Sequence, residues 1–269
     1  MKGRPMIDVQ KQPGIRVIDI DKVGVSDICY PIIVLDKKNL KQSTVARIDI
    51  SVDLPSDLRG THMSRFIEIL NHHRGEITVH KIGGILREVA DNLEAKCSHI
   101  NVAFKYFIEK EAPVSRAKSL MDYDCRFIAS YHREHGEDFI LEITAPVMSL
   151  CPCSKEMSGS AAHNQRSEVT VQIRFDEFVW MEEIIDIIEE SASSEVFALL
   201  KREDEKAVAE RAYDHPRFVE DIVRIIAARL LDDRRISWFT IKSKNYESIH
   251  NHNAYAFIER DKKNLSHDR

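Results

Sequence analysis

The chain has 269 residues and a formal net charge of -5. A dedicated nucleic-acid binder normally carries a strong basic excess, so this charge argues against that class while leaving room for a local basic pocket. Because 43% of its residues are hydrophobic, a chain of this length can bury a substantial core, and we expect a folded globular protein of one large or two small domains.

The sequence predicts neither a membrane span nor a secretory signal. Its apolar runs stay well below the roughly 20 residues that cross a bilayer, and the start Met-Lys-Gly-Arg-Pro-Met is not followed by the apolar stretch of a signal peptide. The five cysteines are scattered, which is typical of a reducing compartment. We therefore predict a cytoplasmic protein with no membrane partner.

The first half of the chain alternates between strand and helix patterns. Residues 1–25 carry charges and prolines without periodicity and predict an extended lead-in. Alternation with period two and apolar stripes at helical spacing then predict six elements. These are strands at 28–35 and 45–53, helices at 61–70 and 82–93, and strands at 100–106 and 123–131.

The same order of elements recurs after a polar break at residues 132–138. The predicted elements are strands at 139–143 and 169–175, helices at 180–200 and 219–230, and strands at 236–243 and 254–259. A ββααββ unit that occurs twice suggests an internal duplication, although the halves share no visible residue-level identity. We predict an α+β fold with antiparallel sheets carrying helices on one face. Its modules would span 26–134 and 135–260, with a polar tail at 261–269.

The segment from Ala145 to Ser167 is the strongest candidate for chemistry. It places Cys151 and Cys153 around a proline and His163 twelve positions after the first cysteine. Cysteine binds metal or attacks carbon as thiolate, a form that nearby cations favour. The segment therefore indicates a metal site or a reactive thiol, and the alternative is a structural turn with buried, inert cysteines.

Four separated motifs occur along the chain in a fixed order. They are Cys-Pro-Cys-Ser-Lys at 151–155 with Ala-His-Asn-Gln-Arg-Ser at 162–167, Leu-Lys-Arg-Glu-Asp-Glu at 200–205, Arg-Phe-Val-Glu-Asp at 217–221, and Asn-Tyr-Glu-Ser-Ile-His-Asn-His at 245–252. Together they resemble GTP cyclohydrolase type IB over nearly the whole chain, and such a set is far more specific than a single Cys-x-Cys. One departure concerns the local loop shape, since Ser160 and Ala161 stand where that family has an aromatic residue and a glycine.

The resemblance implies the tunnelling fold, with two tandem modules per chain and a homotetramer whose active sites lie between subunits. The implied reaction converts GTP to 7,8-dihydroneopterin triphosphate and formate, the first step of tetrahydrofolate biosynthesis.

Opening the imidazole ring of guanine requires water to add at C8, so the site needs a metal that activates water and groups that move protons. By resemblance the ligands are Cys151, His163 and Glu205, a donor set compatible with manganese, zinc or iron. Taken alone, Glu205 in Arg-Glu-Asp-Glu-Lys is typical of a solvated helix face.

Further residues are predicted to move protons. The expected catalytic set is Cys151, Glu247, His250 and His252. In an extended segment the two histidines would share a side, and imidazole suits relayed proton transfers near neutral pH. The histidines could instead be additional ligands or exposed loop residues.

Other residues are predicted to bind the substrate. The carboxylate of Glu220, beside an apolar helical stripe, can accept hydrogen bonds from N1–H and the 2-amino group of guanine, unless it is an ordinary surface glutamate. For the triphosphate, the helix start with His62, Ser64 and Arg65 offers backbone N–H groups and cations, although simple capping by Thr61 would explain the same pattern.

Two other functions stay open on the sequence alone. A related tunnelling-fold reductase of a deazaguanine nitrile would use a nucleophilic cysteine, but it needs a nicotinamide phosphate-binding segment that we do not find. A non-catalytic purine- or metal-binding scaffold is disfavoured because the whole candidate set is retained together.

Overall fold

The computed structural model describes residues 18–74 and 77–264. Within these ranges the chain contains six helices and nine strands, and the strands belong to an antiparallel sheet. The predicted α+β class is therefore confirmed. Most of the predicted lead-in, residues 1–17, and the end of the predicted tail, residues 265–269, lie outside the described residues. No helix of the described part is long and apolar enough to cross a bilayer.

The elements have the following bounds. The strands are β1 (Ile20–Asp36), β2 (Leu40–Leu54), β3 (Cys97–Glu111), β4 (Lys118–His132), β5 (Gly136–Leu150), β6 (Asn164–Phe175), β7 (Ser194–Glu195), β8 (Ile236–Asn245) and β9 (Ala254–Asp261). The helices are α1 (Met63–His72), α2 (Ile82–Asn92), α3 (Pro152–Ser158), α4 (Met181–Ser191), α5 (Arg202–Asp214) and α6 (Val219–Asp232).

Contacts divide the chain into two compact units. Of the described residues, the first comprises 18–74, 77–104 and 126–139, and the second comprises 105–125 and 140–264. Strands β3 and β4 contribute residues to both units. The modules predicted at 26–134 and 135–260 stay a prediction.

The first unit contains the predicted hairpin of β1 and β2, followed by the pairing of β2 with β3. The alternating residues Ile48, Ile50 and Val52 are at most 1% exposed, as expected for one buried face of a strand. In α2 the stripe that includes Ile85 and Val89 is fully buried, which confirms the amphipathic helix predicted from helical spacing.

The second unit contains the antiparallel succession β5, β6, β8 and β9, with β7 paired to β5. Helix α6 contacts β8 and β9. Its apolar stripe is buried as predicted, with Ile222, Ile226 and Leu230 fully inaccessible to solvent. Burial of this face orients the polar N-terminal turn of α6 at one end of the unit.

Three features differ from the sequence prediction. The helix predicted over 180–200 is wrong in its length, because α4 ends at Ser191 and β7 follows. The Ser191 hydroxyl donates to the Ile187 carbonyl oxygen at 2.6 Å, and serine hydroxyls compete with helical backbone bonding in this way. The short helices α3 and α5 were not predicted, and β1 begins at Ile20, inside the predicted lead-in.

Candidate active site

A cavity of about 270 Å³ in the second unit brings together most of the predicted site residues. The predicted residues that line it are Cys151, His163, Glu220, Glu247, His250 and His252. They come from the start of α3, the loop before β6, the first turn of α6 and the β8–β9 connection. Side chains distant in sequence therefore converge on one concave surface, as in most enzyme sites.

Cys151 is held by its position at the N-cap of α3. Its backbone is extended, Pro152 follows at the first helical position, and its Sγ accepts a hydrogen bond from the Ser154 N–H at 3.4 Å. Its own N–H donates to the His163 carbonyl oxygen at 3.1 Å. This backbone bond ties the cysteine to the histidine. Cys153 is exposed and is not among the residues lining the cavity.

His163 lies among groups that can exchange protons. Its Nδ1 is 3.0 Å from Gln165 Oε1 and 4.0 Å from Glu247 Oε2. The His163 and Glu247 side chains are only 15% and 10% exposed. The ring of His250 lies edge-on to His163 with centroids 6.5 Å apart, and it stacks on His252 at 5.2 Å. The stacking agrees with the prediction that His250 and His252 share a side.

Glu220 lies in the first turn of α6, exposed to solvent and facing the same cavity. The chain entering this helix is anchored by the N–H of Arg217, which donates to the Leu150 carbonyl oxygen at 3.0 Å. That bond joins the start of α6 to the residue preceding Cys151. A carboxylate is thus presented beside the cysteine and histidine segments, where it can accept two hydrogen bonds from a planar ligand.

Glu205 is exposed on the first turn of α5 and is not among the residues that line this cavity. The position of that turn is set by its buried neighbour Asp204. The Asp204 carboxylate accepts hydrogen bonds from the Val114 and Ser115 N–H groups at 2.9 and 2.8 Å and from the Lys201 N–H at 2.9 Å. The structure therefore fixes the backbone turn that carries Glu205, but it does not place Glu205 beside Cys151 and His163.

The residues predicted to bind the triphosphate lie in the first unit. His62 is the N-cap residue of α1 and makes no capping hydrogen bond through its side chain, so Thr61 does not occupy the capping position. Arg65 donates to the Asn92 carbonyl oxygen at 2.5 Å, and Ser64 is exposed. His62 and Arg65 line a small cavity of about 90 Å³.

Sequence reasoning missed three polar residues of the main cavity, namely Gln165, Arg217 and Asn245. Gln165 and Asn245 occupy inward positions of β6 and β8, where alternation predicts apolar residues. A polar residue at an inward strand position was the signal in the sequence that could have identified Gln165 and Asn245.

The donor set of the main cavity fits a divalent metal, because Cys151 and His163 offer sulfur and nitrogen and Glu247 adds carboxylate oxygen nearby. Within the described residues, a group with its ligand atoms already within 4.8 Å is His132, Glu134 and His135, at the turn after β4. Those two histidine rings are stacked at 4.4 Å with 24° between their planes. Their in-plane lone pairs cannot meet at one ion without ring rotation, so this group does not replace the predicted ligands.

Comparison with known proteins identifies the family. The family described as Type I GTP cyclohydrolase folE2 matches residues 6–256. The GTP cyclohydrolase FolE2 of Geobacter sp. (strain M21) is 56% identical over 97% of both chains. That of Syntrophotalea carbinolica is 54% identical over 94% of this chain and 95% of its own.

Among solved structures, urate oxidase from Bacillus subtilis 168 superposes with a TM-score of 0.56 at 9% identity, over 90% of this chain and 99% of its own. At that identity the likeness concerns the fold alone. The family match and the relatives of more than half identity confirm, at the level of the type I GTP cyclohydrolase folE2 family, the resemblance drawn from the four motifs and given above as type IB. The chain belongs to the type I GTP cyclohydrolase folE2 family, and its activity is that of a GTP cyclohydrolase.

Proposed function

We propose that the cavity of the second unit is the place where this GTP cyclohydrolase opens the guanine imidazole ring of GTP. The products are 7,8-dihydroneopterin triphosphate and formate, and the reaction opens the route to tetrahydrofolate. The observation that carries the proposal is the convergence of six residues, predicted independently of the structure, on this one cavity. Cysteine, histidine and carboxylate groups in one concave site are the types that metal-assisted hydrolysis requires.

Cys151, His163 and Glu205 would hold the divalent metal, for which manganese, zinc and iron are all compatible. Bound metal lowers the pKa of a coordinated water and so supplies a nucleophile near neutral pH. Cys151 and His163 already share the cavity, and their segments are tied by a backbone hydrogen bond. Glu205 is assigned by the family motif, and it lies on the exposed first turn of α5, outside the residues that line the cavity.

The protons of the reaction would pass through Glu247, His250 and His252. Addition of water to C8 releases a proton, and each ring nitrogen that separates from C8 must take one up. The Glu247 carboxylate is largely shielded beside His163, which suits a base that accepts the proton of water. The stacked pair His250 and His252 is exposed at the mouth and can return protons to the departing nitrogen.

Glu220 would orient the purine. Its carboxylate can accept hydrogen bonds from N1–H and the 2-amino group of guanine, a bidentate arrangement that adenine cannot match. We propose His62, Ser64 and Arg65 as the triphosphate-binding group, supported by their position at the start of α1, where backbone N–H groups and an arginine lie together.

We also propose the tunnelling fold with two tandem modules and a homotetramer whose sites lie between subunits. The edge strand β9 supports assembly, because it exposes Tyr255 and Phe257 at 70% and 54%. Aromatic side chains at that exposure are typical of surfaces that are covered by a partner. Exposure of the site histidines points the same way, since a hydrolytic site works best when it is closed from bulk water.

The direct test is incubation of the protein with GTP and Mn²⁺, followed by oxidation and measurement of pterin fluorescence and of formate. We expect stoichiometric pterin and formate from GTP and neither product from ATP. A protein that binds GTP but yields neither product would contradict the proposal and favour a binding scaffold. Nitrile reduction has no structural observation in its favour.

A further inference from the structure

The buried faces of three neighbouring strands change from apolar to polar at the same end. On β5 the inward residues Ala145 and Val147 are followed by Ser149, and on β8 the inward Ile241 is followed by Ser243 and Asn245. On β6 the polar residues come first, with Gln165 and Ser167 preceding Val169. All the polar members are at most 6% exposed. Burial of so many polar groups is unfavourable unless they are hydrogen-bonded.

Four of these five polar residues form a connected network, whereas the buried Ser243 Oγ has no hydrogen-bond partner among the described residues. Gln165 Nε2 donates to Ser149 Oγ at 2.7 Å, and Asn245 Nδ2 donates to the same oxygen at 3.1 Å. Ser167 Oγ donates to Asn245 Oδ1 at 2.7 Å. The pairing of Ser149 with Gln165 and of Ser167 with Asn245 across the sheet places them in register. Hydrogen bonds that link these four side chains across three strands restrict the geometry of each of them.

Each of three network residues lies two positions from a residue of the cavity. Ser149 precedes Cys151, Gln165 follows His163, and Asn245 precedes Glu247. Side chains two positions apart in extended backbone point to the same side. The network is therefore the floor beneath the three segments that carry the cysteine, the histidine and the glutamate.

The contact between this floor and the site is made by Gln165. Its Oε1 lies 3.0 Å from His163 Nδ1, while its amide nitrogen is committed to Ser149. With the amide in this orientation, the histidine nitrogen next to it must be the donor. The other ring nitrogen, Nε2, is then left with its lone pair for a metal, and a hydrogen bond of this kind usually fixes the ring of a metal-binding histidine.

We propose that Gln165 is a positioning residue that holds the His163 ring with its proton on Nδ1 and thereby presents Nε2 to the divalent metal. This inference rests on the proposed function only in taking His163 as a metal ligand. It assigns Gln165, which lines the cavity, a role that acts through the ring of His163.

The test compares Gln165→Met with Gln165→Glu and with a matched control, Gln172→Met. Methionine keeps the length of the side chain but removes the acceptor, whereas glutamate keeps an acceptor at Oε1. Gln172 lies seven residues further along β6 and also makes two side-chain hydrogen bonds, to Glu142 and from Thr240, away from the cavity. The affinity for Zn²⁺ is measured by competition with a chromophoric chelator in the absence of GTP, and thermal unfolding reports whether each variant folds.

We expect Gln165→Met to bind Zn²⁺ about 10- to 100-fold more weakly than the wild type, the usual effect of losing such a partner. Gln165→Glu should restore most of the affinity, and Gln172→Met should match the wild type. Equal affinities for Gln165→Met and the wild type would overturn the proposal, as would a loss in Gln172→Met of the same size.

A second measurement does not depend on whether Gln165→Met folds. In metal-free wild-type protein, ¹⁵N–¹H correlation spectra of the His163 ring should show the neutral form protonated at Nδ1, and protonation at Nε2 would overturn the proposal. Both measurements are made without substrate. A protein that passes them yet fails to release formate from GTP would refute the proposed function and leave this inference standing.

Discussion

Replacement of Lys110 by methionine should destabilise the second unit strongly. The Lys110 ammonium is 2.9 and 2.8 Å from the two Glu189 oxygens and 2.5 Å from Glu195 Oε2. The Lys110 and Glu189 side chains are only 8% and 9% exposed. Removing one member of a buried ion pair leaves an uncompensated charge, which costs about 3 to 5 kcal/mol. Among the described residues, Glu189 would keep its hydrogen bond from the hydroxyl of Tyr123, at 2.7 Å.

The loss in Lys110→Met should also depend on pH. Burial raises the pKa of Glu189, and the nearby Lys110 opposes that rise. Without Lys110 the pKa should rise further. A carboxyl with a folded pKa above its unfolded value of about 4.3 binds its proton more tightly in the folded state. The folded state therefore gains stability as pH falls through the pKa that Glu189 has in the folded state. The loss of unfolding free energy in Lys110→Met, relative to the wild type, should shrink as pH is lowered from 7.5 to 5.5.

Urea unfolding at the two pH values measures both effects. The control is Lys118→Met, because Lys118 pairs with Glu109 at 3.2 Å with both side chains more than two-fifths exposed, and such pairs contribute about 0 to 1 kcal/mol. The double variant Lys110→Met, Glu189→Leu should recover much of the loss, since it removes both charges together. A loss for Lys110→Met no greater than that of the control, or one that grows as pH falls, would refute this reasoning.

Three further predictions concern the substrate, the assembly and the end of α6. Glu220→Gln should lower kcat/KM for GTP by about tenfold or more, because a donor then faces the 2-amino group and a hydrogen bond to a charged group, worth about 1.5 to 3 kcal/mol, is lost. Unchanged kinetics would place the purine elsewhere. Sedimentation should give a tetramer, and two inactive variants altered in different parts of one site should partly complement when mixed, whereas a fully active monomer would contradict shared sites. Arg235 lowers the pKa of Asp233 by hydrogen bonding. The wild type should therefore be more stable than Asp233→Asn above about pH 4, and this advantage should disappear as pH falls through the pKa of Asp233 in the folded state. Urea midpoints of both proteins from pH 2 to pH 7 test this direction.

Most of the secondary structure was predictable because one face of nearly every element is buried. The alternation of Ile48, Ile50 and Val52 predicts β2, and the stripe that includes Ile222 and Ile226 predicts α6. The end of α4 was not predictable in the same way, because the chain beyond it is held by contacts distant in sequence. Ser193, for example, accepts a hydrogen bond from the Leu150 N–H at 3.0 Å.

The candidate site was predictable in its residue types but not in its geometry. Motifs named Cys151, His163 and Glu220, and the structure brings these side chains to one cavity. The same reasoning named Glu205, which lies outside the lining of that cavity. A sequence motif gives the types of residues but not the distances between them. The role of Gln165 depends on a neighbouring strand, because its amide is fixed by Ser149, sixteen residues earlier. The sequence of β6 alone therefore does not identify Ser149 as that partner.

The central claim is that Cys151 in the cavity of the second unit holds the metal that activates water. Its most direct test is metal content per subunit, measured beside single-turnover formate release from GTP, for Cys151→Ala and Cys153→Ala. The two cysteines are separated only by Pro152, yet Cys151 lines the cavity while Cys153 is exposed. We predict that Cys151→Ala loses metal and formate release while its fold is retained, as should His163→Ala and Glu205→Ala, and that Cys153→Ala keeps both. Loss of metal from Cys153→Ala with an active Cys151→Ala, or full metal and activity in both variants, would contradict the claim.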